Sequence, residues 1–229
     1  MRSFLLACGA TAAIAACGGT SVNLPDGGDD DSGAPVDGAA PDGGGSADGG
    51  GGACGAASVA LTFGNCPAPP TCGGAIADGT WVYTAGCLPD PWAQAKTYCK
   101  ALVVSGEQGT VRGCVTFSGA TVSRDVSASY SAKLDYPTAC LLGGTCTTLE
   151  AYLKPYFTQA SCAPSATGCS CAVSSKSSGT VSTGFTLQNN QVVTSANGHY
   201  DYCVSGATMG MRYASGPSPE PGIYTLTKK

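Results

Sequence analysis

The residue types that most readily support catalysis cluster in one short stretch near the C-terminus. His199, the only histidine among 229 residues, is followed by Asp201 and Ser205, and these three types could form a catalytic triad. On a β-strand, however, side chains two positions apart lie about 7 Å from each other along the strand. That distance is too long for a hydrogen-bonded relay, and no Gly-x-Ser-x-Gly nucleophile motif occurs. We therefore expect no catalytic residues and predict that the protein is not an enzyme.

Cysteines offer a second possible chemistry, a metal or redox site. The chain has 14 cysteines, and Cys169-Ser170-Cys171 places two of them at close spacing. A structural zinc site normally needs two Cys/His pairs at short spacing, and the sequence contains no Cys-x-x-Cys. We therefore predict no metal and no cofactor. So many cysteines are more typical of disulfides formed in an oxidising compartment.

The N-terminus indicates export and attachment to a membrane. Arg2 precedes an apolar run, Phe4 to Ala16, which is too short to span a bilayer and has the length of a signal peptide. The run ends in Ile14-Ala15-Ala16-Cys17-Gly18, which resembles a bacterial lipobox. The resemblance implies a signal peptide over residues 1–16, cleavage before Cys17 and a lipid on that cysteine. The alternative is an ordinary secretory signal.

The same resemblance implies a location in the cell envelope. Gly18 replaces the Asp that retains lipoproteins of this type at the inner membrane, so we expect an outer-membrane or cell-surface location. Residues 17–53 are rich in Gly, Asp, Ala and Pro and have almost nothing to bury. Such a segment cannot offset its own ordering entropy, so we predict a disordered tether between the lipid and a folded domain over residues 54–229.

The remaining cysteines predict a disulfide-stapled domain. Setting aside Cys8 in the signal and Cys17 leaves twelve of the 14, an even number. We predict six disulfides. The sequence does not fix their connectivity, although proximity suggests Cys87 with Cys99 and Cys140 with Cys146. The twelve residues are Cys54, Cys66, Cys72, Cys87, Cys99, Cys114, Cys140, Cys146, Cys162, Cys169, Cys171 and Cys203.

Composition excludes one class of partner. Charged residues make up only 11% of the chain and the net charge is −4. Because no cluster of Lys and Arg is present to neutralise phosphates, we expect no nucleic-acid partner.

The clearest structural pattern is an alternation of two residues from Thr121 to Tyr136. Even positions are mostly apolar and odd positions are polar, which is typical of a strand with one buried face. The run is long for a strand, so we expect it to be bent or bulged, as in small barrels. Arg124 is the one charge on the apolar face. It either pairs with a ligand carboxylate inside a cavity or extends its head group to solvent at a strand end.

Similar alternation recurs before and after this strand and predicts eight to ten strands with local hairpin connections. The Asn197-Gly198 pair is the strongest hairpin signal. Local connections favour an all-β, antiparallel up-and-down β-barrel over a Greek-key sandwich.

One or two short helices are expected beside the strands. Asp90-Pro91 predicts a helix start, with a helix from Trp92 to Lys100, although Tyr98–Ser105 could instead form a strand. Thr147 and Glu150 have the spacing of a capping box, and Pro155 should end the second helix near Lys154.

Residues 79–228 resemble a lipocalin, more specifically the lipocalin-like domains of bacterial lipoproteins. The resemblance rests on Gly79-Thr80-Trp81 at the first predicted strand and Tyr202-Cys203-Val204-Ser205-Gly206 near the end. It implies that Trp81 packs under a basic residue of the last strand, here Lys228, and closes the barrel floor. The chain departs from the family in having Lys rather than Arg there and in lacking the Thr-Asp-Tyr motif.

The resemblance implies a monomeric module that binds a small hydrophobic molecule or a lipid in the barrel. Arg124 would be the polar contact. The expected apolar lining is Tyr83, Phe117, Val126, Tyr130, Phe185, Tyr202, Met209 and Met211. The alternatives are a solid barrel with a structural or adhesive role at the surface, and a partner-binding or inhibitor-like domain that uses the insert from Cys140 to Cys171.

Overall fold

The computed structural model describes residues 54–68, 70–216 and 222–229. The predicted signal peptide, the lipid attachment at Cys17 and the tether over residues 17–53 lie outside these ranges and stay predictions. Within the described ranges, no helix is both long and apolar enough to cross a lipid bilayer.

Strands dominate the described chain, as the alternating sequence predicts, and two short α-helices accompany them. The helices are α1 (Ala93–Tyr98) and α2 (Cys146–Leu153), and a 3₁₀ turn spans Thr138–Cys140. The strands are β1 (Val59–Phe63), β2 (Gly79–Leu88), β3 (Val103–Ser118), β4 (Thr121–Pro137), β5 (Gln159–Ser165), β6 (Gly168–Gln188), β7 (Gln191–Thr194), β8 (His199–Ser205), β9 (Thr208–Ser215) and β10 (Ile223–Lys228).

The strands form one ten-stranded sheet whose central part closes into a ring. Around the ring the order is β2, β3, β4, β6, β7, β8, β9 and β10, and each neighbouring pair is antiparallel. Because β10 pairs with β2, the sheet returns to its first strand. The predicted local connections are therefore confirmed for the ring, in which strands that follow one another in sequence are neighbours. The exception is β5, which lies outside the ring and pairs with β6.

The expectation of a purely antiparallel sheet is wrong, because the sheet is mixed. β1 precedes the first predicted strand, and it lies parallel to β2 and antiparallel to β3. β2 and β3 pair directly with each other only where Gly79–Val82 meets Cys114–Phe117, and beyond this point they separate. β1 fills the space that opens between them.

The predicted long strand is present as β4, and its pairing is regular throughout. All 17 residues of β4 pair with β6 without a register shift. The expected bulge occurs instead in the partner strand β3, between Ser105 and Gln108. A second irregularity lies at Gly113, which has φ +126°, and a Cβ there would come within 1.9 Å of the Asp125 backbone oxygen. Only glycine allows β3 to approach β4 so closely.

The inward face of the β4–β6 ladder carries two separate hydrophobic clusters. The first fills the ring and includes Trp81, Phe117 and Met209. The second lies where β3, β4 and β6 extend beyond the ring, and it includes Leu134 and Cys171. The segments around α1 and α2 cover this second cluster with Trp92, Leu153 and Phe157.

Residues 70–78 lie against the end of the ring where β2 begins. The Gly73 N–H donates to the Tyr202 carbonyl (2.9 Å), and the Gly73 carbonyl accepts from the Val204 N–H (2.8 Å). Ile76 packs against the first cluster, and the indole N–H of Trp81 donates to the Ala77 carbonyl (3.3 Å). This segment thus links β8 to β2 across one end of the ring.

Both helices are present, but their boundaries differ from the prediction. α1 is shorter than the expected Trp92–Lys100, and the chain does not become a strand until Val103, so the alternative strand at Tyr98 is wrong. The N-cap of α2 is Thr145, whose side chain pairs reciprocally with Thr148. The capping box predicted at Thr147 and Glu150 is therefore wrong. Glu150 instead accepts a hydrogen bond from the Cys162 N–H (2.9 Å).

The predicted six disulfides are confirmed, but both suggested pairings are wrong. The suggested pairs join cysteines that are close in sequence, but in the structure each of these cysteines lies beside another part of the fold. Five bridges attach a loop, helix or outer strand to a strand of the ring, and one joins the end of α1 to the 3₁₀ turn. The pairs are Cys54–Cys114, Cys66–Cys87, Cys72–Cys203, Cys99–Cys140, Cys146–Cys169 and Cys162–Cys171.

Candidate functional site

The inward face of the β4–β6 ladder is partly open to solvent between the two hydrophobic clusters. On β4, Val122 is buried at one end and Tyr130 at the other, but the inward residues between them are partly exposed. On β6 the inward residues change from buried to partly exposed after Val173. We call this region the cleft; its residues are Arg124, Val126, Ala128, Ser175, Ser177, Gly179 and Val181.

Small side chains explain why the cleft stays open. Ala128 is the register partner of Ser177, and Val126 is the partner of Gly179, so each of these rows contains a residue with little or no side chain. These rows bring little side-chain volume to the inward face, whereas the rows on either side carry Tyr130, Val122 or Leu134. Space between two packed clusters is where a small molecule can be accommodated.

Arg124 points into the ring and does not extend to bulk solvent from a strand end. Its Nη2 donates a hydrogen bond to the hydroxyl of Tyr83 on β2 (3.4 Å). Its Cζ also lies 5.9 Å from the ring centroid of Tyr200 on β8. Because β2 and β8 approach from different sides of the ring, the guanidinium lies in the interior beside the cleft.

Each of the two tyrosines that contact this cation packs on a second tyrosine. The rings of Tyr83 and Tyr224 meet edge to face at 5.6 Å, and those of Tyr200 and Tyr213 at 5.4 Å. The Tyr213 hydroxyl is buried and has no hydrogen-bond partner among the described residues.

The arrangement combines a cation, aromatic faces and small hydroxyl-bearing residues. Arginine binds carboxylates and other anionic groups through charge-assisted hydrogen bonds. Apolar and aromatic surface with a few placed polar groups is the usual lining of small-molecule sites. The cleft is therefore suited to a small amphiphile with an apolar body and an acidic or hydrogen-bonding head.

The remaining residues predicted to line the ligand site lie outside the cleft. Phe117, Tyr202, Met209 and Met211 are buried in the first cluster, and Phe185 packs against it, with its ring 5.2 Å from that of Phe117. The Tyr202 hydroxyl donates to the Gly74 carbonyl (2.8 Å), and burial raises the pKa of Tyr202. Arg124 and Val126 are the predicted lining residues that lie in the cleft, and Tyr83 is buried in the first cluster with its hydroxyl at Arg124.

Tyr130 belongs to the second cluster and is held by hydrogen bonds. Its hydroxyl accepts from the indole N–H of Trp92 (2.6 Å) and donates to Glu107 Oε1 (2.9 Å). Burial raises the pKa of this phenol well above its ordinary value, and Glu107 adds to the increase. The Tyr130 ring also meets Phe63 edge to face at 5.6 Å. Tyr130 thus joins the α1 segment to β4 at the border of the cleft.

Trp81 and Lys228, which the lipocalin resemblance implies should meet at the floor of the barrel, lie opposite each other. Trp81 and Lys228 are register partners on β2 and β10, and Trp81 is almost completely buried. The Lys228 side chain passes over Gly79, where a Cβ would lie 3.2 Å from the lysine Cε.

The possible triad is not assembled. On the outward face of β8, Gln191 lies between His199 and Asp201, with Oε1 3.4 Å from His199 Nδ1 and Nε2 donating to Asp201 Oδ1 at 2.7 Å. Asp201 also pairs with Arg212, whose Nε lies 3.2 Å from Oδ2. Burial raises the pKa of Asp201, but the hydrogen bonds from Gln191 and Arg212 and the charge of Arg212 outweigh burial and hold it below its ordinary value. Ser205 is exposed at the end of the strand.

No metal-binding group is found in the part of the chain that the structure describes. All twelve of its cysteines are in disulfides, and no three His, Cys, Asp or Glu side chains there come together as a metal ion would require.

Sequence reasoning missed Tyr200, which lies beside Arg124, and also Tyr213 and Tyr224, which pack on Tyr200 and Tyr83. The alternation along their strands could have indicated them. Tyr200 is two positions from Tyr202, and Tyr213 is two positions from Met211, so each pair is expected on the same face of its strand. What the alternation does not reveal is which inward residues remain partly exposed.

Comparison of the chain with protein-family models, with curated proteins and with solved structures finds no match.

Replacing Tyr130 by Phe should destabilise the fold by about 1–3 kcal/mol, because the buried Trp92 N–H loses its acceptor. Urea unfolding followed by tryptophan fluorescence measures this change. The matched control is Tyr156→Phe, at a half-buried phenol whose ring contacts Tyr152, and it should change the free energy of unfolding by less than about 0.5 kcal/mol. Equal effects of the two variants would contradict the role assigned to Tyr130.

The Asp201–Arg212 pair should make stability depend on acid pH. Because the folded-state pKa of Asp201 is lowered, its stabilising contribution is complete above about pH 5 and is lost as the pH falls below about 4. The difference in free energy of unfolding between the wild type and Asp201→Asn should therefore shrink over that interval. The matched control for the loss of a carboxylate charge is Asp135→Asn, at a wider pair with Lys133 (3.7 Å). An Asp201→Asn difference that is constant with pH would refute this account.

Proposed function

We propose that the protein is a cell-envelope lipoprotein whose domain is a lipocalin-like β-barrel that binds a small hydrophobic molecule or a lipid. The observation that carries this proposal is the partly exposed cleft between two packed clusters, with Arg124 in the ring interior beside it. Arg124 is the residue proposed to bind the acidic or polar head of the ligand.

The barrel part of the proposal draws on the closed ring and its next-neighbour order. In an eight-stranded barrel the interior is just wide enough for side chains or for one small ligand. Residues 70–78 lie across one end of the ring, so we propose that a ligand enters elsewhere, through the cleft. We propose a binding role without catalysis, a monomer, and no nucleic-acid partner.

The anchor is proposed from the sequence alone. Lipid on Cys17 would tie the domain to the outer membrane or the cell surface, with residues 18–53 as the spacer. A binding domain held close to a bilayer has ready access to hydrophobic molecules.

A second candidate function, in a different class, is a solid barrel that acts as a structural, adhesive or partner-binding module. The dense packing of Phe117, Met209 and Leu226 in the ring favours it, because these side chains are at most 1% exposed. Leu142, in the insert between Cys140 and Cys171, is 94% exposed and would suit a partner interface.

Native mass spectrometry of the exported protein tests the binding proposal. We expect a fraction of molecules to carry an extra mass that is lost on denaturation. Ser177→Phe, which places a large ring in the cleft, should lower that fraction at least about tenfold, because it fills the ligand's space. The matched control is Ser178→Phe, whose side chain lies on the outward face of the same strand.

A second pair of variants tests the polar contact. Arg124→Gln should weaken retention of the ligand about tenfold or more, as expected for loss of one charge-assisted hydrogen bond. Arg112→Gln, at an outward position opposite Ser127, should have no effect. A protein that is free of ligand in every preparation would rule out the binding proposal and favour the solid module.

The anchor has its own test. In a bacterial host that acylates lipoproteins, the wild type should incorporate labelled palmitate and partition into the membrane fraction, whereas Cys17→Ser should do neither. Cys8→Ser is the control, since that residue lies within the predicted signal peptide. Label that persists in Cys17→Ser would refute lipidation at this position.

A further inference from the structure

One edge of β6 lacks a partner strand over a defined length. Within the described chain, β5 pairs with β6 as far as Ser174, and β7 begins to pair at Phe185. Between these residues β6 pairs only with β4, which lies along its other edge. We call this open stretch, residues 175–184, the β6 gap; it is about 33 Å long at the rise of a strand.

The backbone of the β6 gap is oriented to bond with a further strand. At one end the Lys176 N–H donates to Thr158 Oγ1 (3.1 Å). At the other end the Gly184 carbonyl accepts from the Ser195 N–H (2.8 Å). Because direction alternates along a strand without register shifts, the even-numbered residues between these ends also point their N–H and C=O groups away from β4. These exposed residues are Ser178, Thr180 and Ser182. Such an edge is a template on which another strand can pair.

The flanking strands limit what can pair there. β5 and β7 occupy the same edge of β6 on either side of the gap. The β6 strand of a second copy would bring its own β5 and β7 along that edge, and these would collide with the strands already there. The β6 gap therefore suits a short isolated strand and not the β6 strand of a second copy.

We propose that the β6 gap binds an extended segment of another polypeptide as an added antiparallel strand. Because β5 and β7 are both antiparallel to β6, the guest strand would continue the pairing that exists on either side of it. It would exchange two hydrogen bonds with each of Ser178, Thr180 and Ser182. In strand addition, backbone bonds of this kind supply the affinity and side chains supply the specificity. The guest would lie beside the sheet and not over the cleft, so this role is separate from small-molecule binding.

The inward side of the β6 gap determines one face of the guest. The inward residues of β6 are Ser177, Gly179 and Val181, and all three are partly exposed. Side chains that lie directly opposite each other on paired strands are in contact, and an aromatic ring opposite a glycine covers backbone that an edge strand leaves exposed. We therefore expect aromatic or β-branched residues on the guest face that lies beside this row.

The outward side of the β6 gap determines the other face. Its residues are Lys176 and three that carry hydroxyl groups, all of them exposed. Within the described ranges, none of the ion pairs involves Lys176. Opposite charges and pairs of hydroxyl-bearing residues stabilise neighbouring strands. The guest should therefore carry Ser or Thr on this face and an acidic residue opposite Lys176, near its C-terminal end.

A seven-residue peptide with this pattern tests the proposal. The probe is Thr-Val-Thr-Tyr-Thr-Val-Glu with an N-terminal fluorophore and a C-terminal amide, and fluorescence anisotropy with the full-length exported protein measures its binding. In the antiparallel arrangement the amides of the Thr residues face β6, so N-methylation of these three should weaken binding at least about tenfold. The matched control carries N-methyl groups on the Val and Tyr amides, which face away from β6, and should bind like the unmodified probe.

Matched variants of the protein test the location. Thr180→Pro removes an N–H that faces the gap and keeps those that bond to β4, so it should weaken binding at least about tenfold. Thr180→Val keeps the N–H and a β-branched side chain and should bind like the wild type. In the wild type, hydrogen–deuterium exchange resolved to single amides provides a measurement that needs no variant. Bound probe should slow exchange at Ser178, Thr180 and Ser182 at least about tenfold, because it bonds their N–H groups.

Each outcome decides the proposal. An unmodified probe that does not bind at up to about 1 mM would overturn strand addition at this edge. Equal effects of the two methylation patterns would overturn antiparallel backbone pairing. Binding that leaves exchange at Ser178–Ser182 unchanged would overturn the assignment to the β6 gap. All of these readouts are independent of whether the cleft binds a ligand.

Discussion

The antiparallel pairing of β4 with β6 is the interaction on which the rest of the structure depends. It runs for 17 residues without a register shift, so one uninterrupted alternation decides which side chains face inward along its whole length. That single inward face supplies a wall of the ring cluster, the cleft and the base of the second cluster. A shift of one residue in this pairing would move the inward side chains of all three regions to the outward face. The site and the core are therefore positioned by the same set of backbone hydrogen bonds.

Much of this ladder could be predicted from sequence. The alternation from Thr121 to Tyr136 identified β4 and its inward face, including the position of Arg124, and the number of strands and helices followed from repeated patterns. β1 was missed because its five residues lie in a Cys- and Pro-rich stretch and pair in parallel with a strand that is distant in sequence. The helix cap was assigned two residues too late, since Thr145, Thr147 and Thr148 are chemically alike and only the backbone geometry selects Thr145.

The candidate site was less predictable than the fold. The alternation along a strand predicts which side chains face inward. It does not predict whether another strand across the ring fills the space in front of them. Met209 and Tyr130 have the inward parity expected of lining residues, and yet both are packed into clusters by neighbours from other elements. The disulfide partners were unpredictable for the same reason, because Cys140 bonds to Cys99 across 41 residues of sequence. Contacts of this kind are set by the closure of the ring and not by any local pattern.

The bond between Cys54 and Cys114 has a mechanical consequence. A force applied to the N-terminal segment meets this covalent link before it reaches β1, which begins at Val59. The load therefore passes directly into β3, a strand held by β4 along most of its length. Pulling along the ladder would have to shear many hydrogen bonds at once, whereas peeling β1 from its end would break them one after another. The cross-link thus shields β1 from tension that is applied through the residues before Cys54, and passes that tension to a strand that is held along most of its length.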